Sequence, residues 1–142
     1  MRNDFDNLVI ITKNFLDMHW AENSKRPEWS PEWIFEGELP NHNRQGCYAL
    51  FSEDEIIYIG VGIGKGSGQY KNNGLGYRTK RYWCLNKDEN RSTRYAPTSD
   101  WEAVGYIRTI GFEPEDAYLA AALEIYLIER LDPPRNSQHK RA

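Results

Sequence analysis

Apolar positions at helical spacing open the chain. Phe5, Leu8, Val9, Thr12, Phe15 and Leu16 predict an amphipathic helix over residues 4–19. Residues 20–33 are polar and broken by Pro27 and Pro31, with Trp20, Trp29 and Trp33 between them. That pattern predicts an irregular segment pinned by indoles, with a strand at 33–36. Pro40-Asn41-His42-Asn43 signals a turn. Two apolar, β-branched runs at 47–52 and 56–61 flank Glu53-Asp54-Glu55 and predict a β-hairpin. A glycine-rich loop follows from Gly60 to Gly74. Residues 75–85 have helical character, and 86–100 are polar and loop-like. Residues 104–110 form a third β-branched run, with Gly111 expected to break it. Pro114 sits in the first turn of a last helix, where Glu115 and Asp116 suit the dipole. Pro133-Pro134 stops that helix near Leu131.

The chain has 142 residues, a length that suits one domain. Its net charge of −3 excludes a uniformly basic nucleic-acid coat. The charge is unevenly spread. Residues 1–59 hold 11 acids and 5 bases; residues 60–95 hold 2 acids and 8 bases; residues 96–142 hold 8 acids and 5 bases. The middle stretch is a basic island that expects an anionic partner. Its bland counterpart is a solvated loop. No apolar run approaches the ~20 residues of a membrane span. The start MRNDFDNLVI carries acids where a secretory leader needs bases, so a cytoplasmic location is expected. Cys47 and Cys84 are too few for a four-thiolate zinc site, and His19, His42 and His139 share no metal-ligand spacing.

The glycine loop fails as a phosphate-binding motif. Lys65 is followed by Gly66 rather than Ser or Thr, and no glycine triple has dinucleotide-fingerprint spacing. Its alternating glycines suit a backbone that approaches a ligand closely. Glu124 is more informative. On a helix its neighbours are Ala117, Ala120, Ala121, Leu127, Ile128 and Leu131. A carboxylate on an apolar stripe is costly without a partner. It is equally readable as an edge Glu satisfied by an Arg or by solvent, or as a ligand for Mg²⁺, which needs only one or two protein carboxylates. Tyr48 and Tyr58 lie on adjacent hairpin strands and alternation can place both on one face, although Tyr is also an ordinary strand residue. Arg78 and Tyr82, at i and i+4, share a helix face. Asn136 follows the double proline and alone is a loop residue.

Taken together these residues resemble the GIY-YIG nuclease family. Its first signature strand corresponds to Gly46-Cys47-Tyr48, its second to Tyr58-Ile59-Gly60. The Leu-x-x-Arg-x-x-x-Tyr helix corresponds to Leu75, Arg78 and Tyr82, and the later Glu, Pro and Asn to Glu124, Pro134 and Asn136. The resemblance covers about residues 40–140. Each tripeptide alone is weak; the ordered set is specific. Cys47 replaces the usual aliphatic residue. The loop from Gly62 to Gly74 is long, so Arg78 is aligned by treating it as an insertion, with Lys80 and Arg81 nearby. A Lys or His often found after the second motif is absent at Val61, with Lys65 as its candidate substitute.

The resemblance implies an α+β fold: a small three-stranded, mainly antiparallel sheet flanked by helices, here with an extra N-terminal helix. Residues 1–39 would be a helical extension packed on a nuclease-like domain of residues 40–142. It implies divalent-metal-dependent hydrolysis of DNA phosphodiester bonds. Glu124 would hold Mg²⁺ (or Mn²⁺), Arg78 would neutralise charge on the transition-state phosphate, and Tyr48 or Tyr58 would help deprotonate water. Tyr82 and Asn136 would support them. Lys65, Lys71, Lys80, Arg81, Arg91 and Arg94 would bind the nucleic acid. Double-strand scission would call for a homodimer or two encounters, and the acidic total for a targeting partner protein. Two other readings compete: a catalytically silent nucleic-acid-binding module on the same scaffold, and an aromatic-rich domain for a small ligand or protein, suggested by the Trp cluster.

Overall fold

The computed structural model describes residues 4–21, 24–63, 74–85 and 94–138. The fold is α+β, as expected. Helix α1 (Asp4–His19) precedes the hairpin of β1 (Gln45–Ser52) and β2 (Glu55–Gly62). Next come a short helix α2 (Gly74–Thr79), a single 3₁₀ turn over Lys80–Tyr82, and the small strands β3 (Trp83–Leu85) and β4 (Tyr95–Pro97). Strand β5 (Tyr106–Phe112) and helix α3 (Ala117–Leu131) complete the fold. The main sheet is antiparallel with order β2-β1-β5, and β3 pairs only with β4.

The central strand β1 is buried along nearly its whole length because both sheet faces are covered. Cys47, Ala49 and Phe51 face one way, into a core shared with Leu8, Phe15 and Leu16 of α1 and Leu123, Leu127 and Ile128 of α3. Tyr48 and Leu50 face the other way, toward Leu75, Tyr82, Trp33 and Ile107. The N-terminal helix is thus part of the main core, and Asp4 accepts a hydrogen bond from the Ile56 amide at 2.8 Å where β2 begins. Segment 29–36 covers the outer edge of β5: Trp33 and Ile107 exchange backbone hydrogen bonds of 2.8 and 3.0 Å. That blunts an edge which would otherwise offer unpaired backbone groups to another chain. The three indoles are indeed anchored, Trp20 on Ser24, Trp29 on Thr12 and Trp33 on Gly37.

Several expectations are corrected. The predicted strand at 33–36 consists only of isolated bridges, from Trp33 to Ile107 and from Glu36 to Arg94. The helical stretch expected to reach 85 ends at Tyr82, and the stretch expected to be loop contains β4. Gly111 does not end the third strand: it pairs with Gly46 inside the ladder. An exposed-looking glycine is tolerated there because Asn41 and Arg44 fill the space that its missing side chain leaves. Both cysteines are free. Among the described residues, no helix is long and apolar enough to cross a membrane.

Candidate active site

The face of the sheet that carries Tyr48 has unusual relief. A Cβ on Gly60 would come within 2.2 Å of the Tyr48 hydroxyl, so only glycine lets that ring lie across the neighbouring strand. A Cβ on Gly62 would meet the Gly74 carbonyl oxygen at 2.5 Å. Helix α2 therefore begins pressed directly on the end of β2. The Leu75 amide donates to the Arg44 carbonyl at 2.9 Å and fixes the helix start. Arg78 follows one turn later on the exposed side, while Leu75 and Thr79 are buried.

A bulge sets the second tyrosine. Phe51 pairs with Ile56 but Leu50 pairs with Tyr58, which leaves Ile57 as the extra residue of β2. Alternation is broken there, so Ile57 and Tyr58 join the same side of the sheet as Tyr48. The result is an aromatic cluster. The Tyr48 and Tyr82 hydroxyls are 2.7 Å apart. The Tyr58 ring lies 6.3 Å from Tyr48 and 6.0 Å from Tyr82, centroid to centroid. Tyr48 and Tyr82 are each only 1% exposed, whereas Tyr58 is half-buried and reaches the surface.

Charge converges on Tyr58. Burial first, then hydrogen-bonded Tyr82 and the Glu124 carboxylate, push its phenol up to about 12; Arg78 pulls the other way. Tyr48 is raised further, chiefly by burial and then by Tyr82, again opposed by Arg78. Glu124 is half-buried on α3, between Leu123 and Leu127 of the core. Its charge also raises the Cys47 thiol, second to burial, and Cys47 lies on the helix side of the sheet. The carboxylate thus acts on residues of both faces of the sheet. Tyr48, Tyr58, Tyr82, Arg78 and Glu124 form one electrostatic group.

Asn136 has a different part. Its side chain accepts from the Ile59 amide at 2.9 Å and donates to the Ile59 carbonyl at 2.8 Å. Both ends of the amide are engaged by the backbone of β2, so Asn136 positions the strand beside Tyr58. The remaining bases divide. Lys80 and Arg81 are exposed on the turn after α2. Arg94 faces Glu36 at 3.7 Å. Lys65, Lys71 and Arg91, with residues 64–73 of the glycine loop, lie outside the described residues, whereas Gly60 and Gly62 belong to β2 and Gly74 opens α2.

Two residues at the site escaped the sequence reading. Trp101 packs edge-on against Tyr58 at 5.3 Å and Tyr82 at 4.8 Å. The Arg135 guanidinium covers Trp101 at 3.6 Å. Arg135 also donates to the Asp100 carbonyl at 2.7 Å, and its own amide donates to the Ile57 carbonyl at 2.9 Å. The only hint was adjacency: Arg135 directly precedes Asn136.

Among the described residues no three His, Cys, Asp or Glu side chains gather. Glu124 is a hard oxygen donor, and a single such carboxylate fits Mg²⁺, which keeps most of its waters and takes substrate phosphates as further ligands. Searches against known protein families, curated protein sequences and solved structures returned no match.

Proposed function

We propose that the chain is a divalent-metal-dependent endonuclease of the GIY-YIG type that hydrolyses DNA phosphodiester bonds. The observation that supports this most is the convergence on Tyr58: a surface-reaching phenol acted on by one carboxylate, Glu124, and one guanidinium, Arg78. A phosphodiesterase needs a group to handle the proton of water, a cation for the phosphate and a ligand for a metal, and these three residues supply them.

Roles follow from burial and charge. Glu124 holds Mg²⁺ or Mn²⁺, which when bound supplies positive charge against the scissile phosphate and the leaving oxygen. Arg78, exposed on α2, meets the phosphate and offsets charge that develops on it. Tyr58 is the tyrosine that touches water; Tyr48, fully buried and hydrogen-bonded to Tyr82, supports it. With its pKa near 12, Tyr58 is a neutral phenol in the resting protein. It orients water as a hydrogen-bond partner, and becomes a proton acceptor only when added positive charge lowers its pKa. Trp101 and Arg135 brace the aromatic cluster from outside.

The same pKa motivates a second reading. A phenol that stays neutral suits a nucleic-acid-binding module without chemistry. Purified protein with plasmid, branched and single-stranded DNA, plus Mg²⁺ or Mn²⁺, separates the two. The nuclease reading expects cleavage that Glu124→Ala abolishes and Tyr58→Phe slows by about 10²-fold or more. Salt-sensitive binding without cleavage, or cleavage that survives Glu124→Ala, overturns it.

A further inference from the structure

A second aromatic assembly lies on the neighbouring side of α2. A groove of about 260 Å³ opens between this helix, the β3–β4 hairpin and the turn after Gly37. Trp33, Trp83 and Tyr95 line it, with Tyr77 and Lys80 from the helix side. The three rings form a continuous wall: Trp33 meets Trp83 at 5.5 Å and Trp83 meets Tyr95 at 4.7 Å. The Trp83 indole nitrogen is buried and has no hydrogen-bond partner among the described residues. Tyr77 is 63% exposed.

We propose that this groove holds a single unpaired nucleobase of the substrate strand, so that the substrate is DNA with unpaired bases rather than unbroken duplex. The inference rests on the nuclease reading and deepens it. Size is one argument. The groove lies just under the usual range of about 300–1,000 Å³ for sites that enclose drug-sized ligands, and so suits one planar ring system. Chemistry is the second. Stacking on aromatic side chains is the common means of holding unpaired bases, and it tolerates any sequence. Charge is the third. Lys80 at the rim can meet the phosphate beside a held base, while Glu38, which also lines the groove, faces His42 at 3.3 Å. Position is the fourth. Tyr77 and Lys80 lie three apart on one side of the turn, and Arg78 lies on the next, so one strand can reach both places.

The test is binding without metal, where no cleavage intervenes. The probe is a short oligodeoxynucleotide carrying 2-aminopurine, used single-stranded and paired with its complement. The proposal expects quenching of the single-stranded probe on binding, tighter binding of single strand than duplex, and weakening of about tenfold in Tyr77→Ala. Because Tyr77 is exposed, this variant should keep its fold, which circular dichroism checks; Trp83→Leu probes the buried wall. Equal affinity for both probes, no quenching, or no effect of Tyr77→Ala in a folded protein overturns the groove assignment. The nuclease reading fails separately. If no DNA is cut with Mg²⁺ or Mn²⁺ while quenching and strand preference persist, the nucleobase site stands and the nuclease falls. If duplex is cut and no quenching occurs, the reverse holds.

Discussion

Tyr58 is where environment matters most, because the proposed role would have a half-buried phenol exchange hydrogen bonds with water. Its pKa of about 12 lies above the ordinary 10.0, so the folded state retains a proton that the unfolded chain gives up. A raised pKa contributes stability that is complete below the unfolded value and is lost as pH rises through the folded one. Stability should therefore decline between about pH 10 and 12, with Tyr48 extending the decline upward. Phenolate absorbance and circular dichroism followed together would check this. Tyr58→Phe should flatten the first part of the decline, and an unchanged profile would refute the assignment. Asn136 makes the opposite kind of claim. Asn136→Ala leaves the Ile59 amide and carbonyl without their partner. It should cost about 1–3 kcal/mol, read as a lowered denaturant midpoint. Its loss of cleavage should follow its loss of fold. Sequence reasoning gave Asn136 a supporting hydrogen-bonding role and could not name its partner, since nothing local links it to a strand far upstream.

At the level of elements, legibility tracked length and periodicity. The β1–β2 hairpin, α1 and α3 each repeat their pattern over two or more turns or four or more residues, and the structure has them within a few positions. The β3–β4 pair did not repeat. Each strand has three residues, β4 ends in Pro97, and β3 follows the turn after α2 without a break. Such short strands are held by tertiary contact, here the edge-to-face packing of Trp33, Trp83 and Tyr95, rather than by their own pattern. The bulge at Ile57 was equally invisible, because it is a property of the pairing and not of either strand. Helix α1 also carries a thermodynamic expectation. Leu8 is fully buried among residues of the sheet and α3. Leu8→Ala should cost about 2–5 kcal/mol by removing core volume. Because α1 shares its core with the sheet, calorimetry should show one transition shifted as a whole. Two transitions, with only one displaced, would mean that the first helix folds as a separate unit.

Over the whole molecule the question is how a chain of net charge −3 would hold the polyanion proposed as its substrate. Charge is partitioned, and the fold sharpens the partition by engaging some cations internally. Arg44 pairs with Glu113, Arg94 with Glu36, and Arg108 lies 3.7 Å over the Phe5 ring while donating to the Ser30 carbonyl. Arg78, Lys80 and Arg81 are exposed together on one short stretch of backbone. If these three are phosphate contacts, the logarithm of DNA affinity should fall with the logarithm of salt at a slope of about −3 on duplex and about −2 on single strand, since each contact contributes about 0.9 or about 0.7 respectively. Lysines and arginines outside the described residues can only steepen it. Replacing Lys80 and Arg81 by Gln should reduce the slope on duplex by about 2 and weaken binding alike across sequences, because phosphate contacts carry no base information. Filter binding or anisotropy over a salt series would measure both quantities. A slope near zero in the unaltered protein would remove DNA as the partner, and with it the nuclease. A steep slope that ignores both substitutions would move the contact surface off α2 and onto another part of the chain.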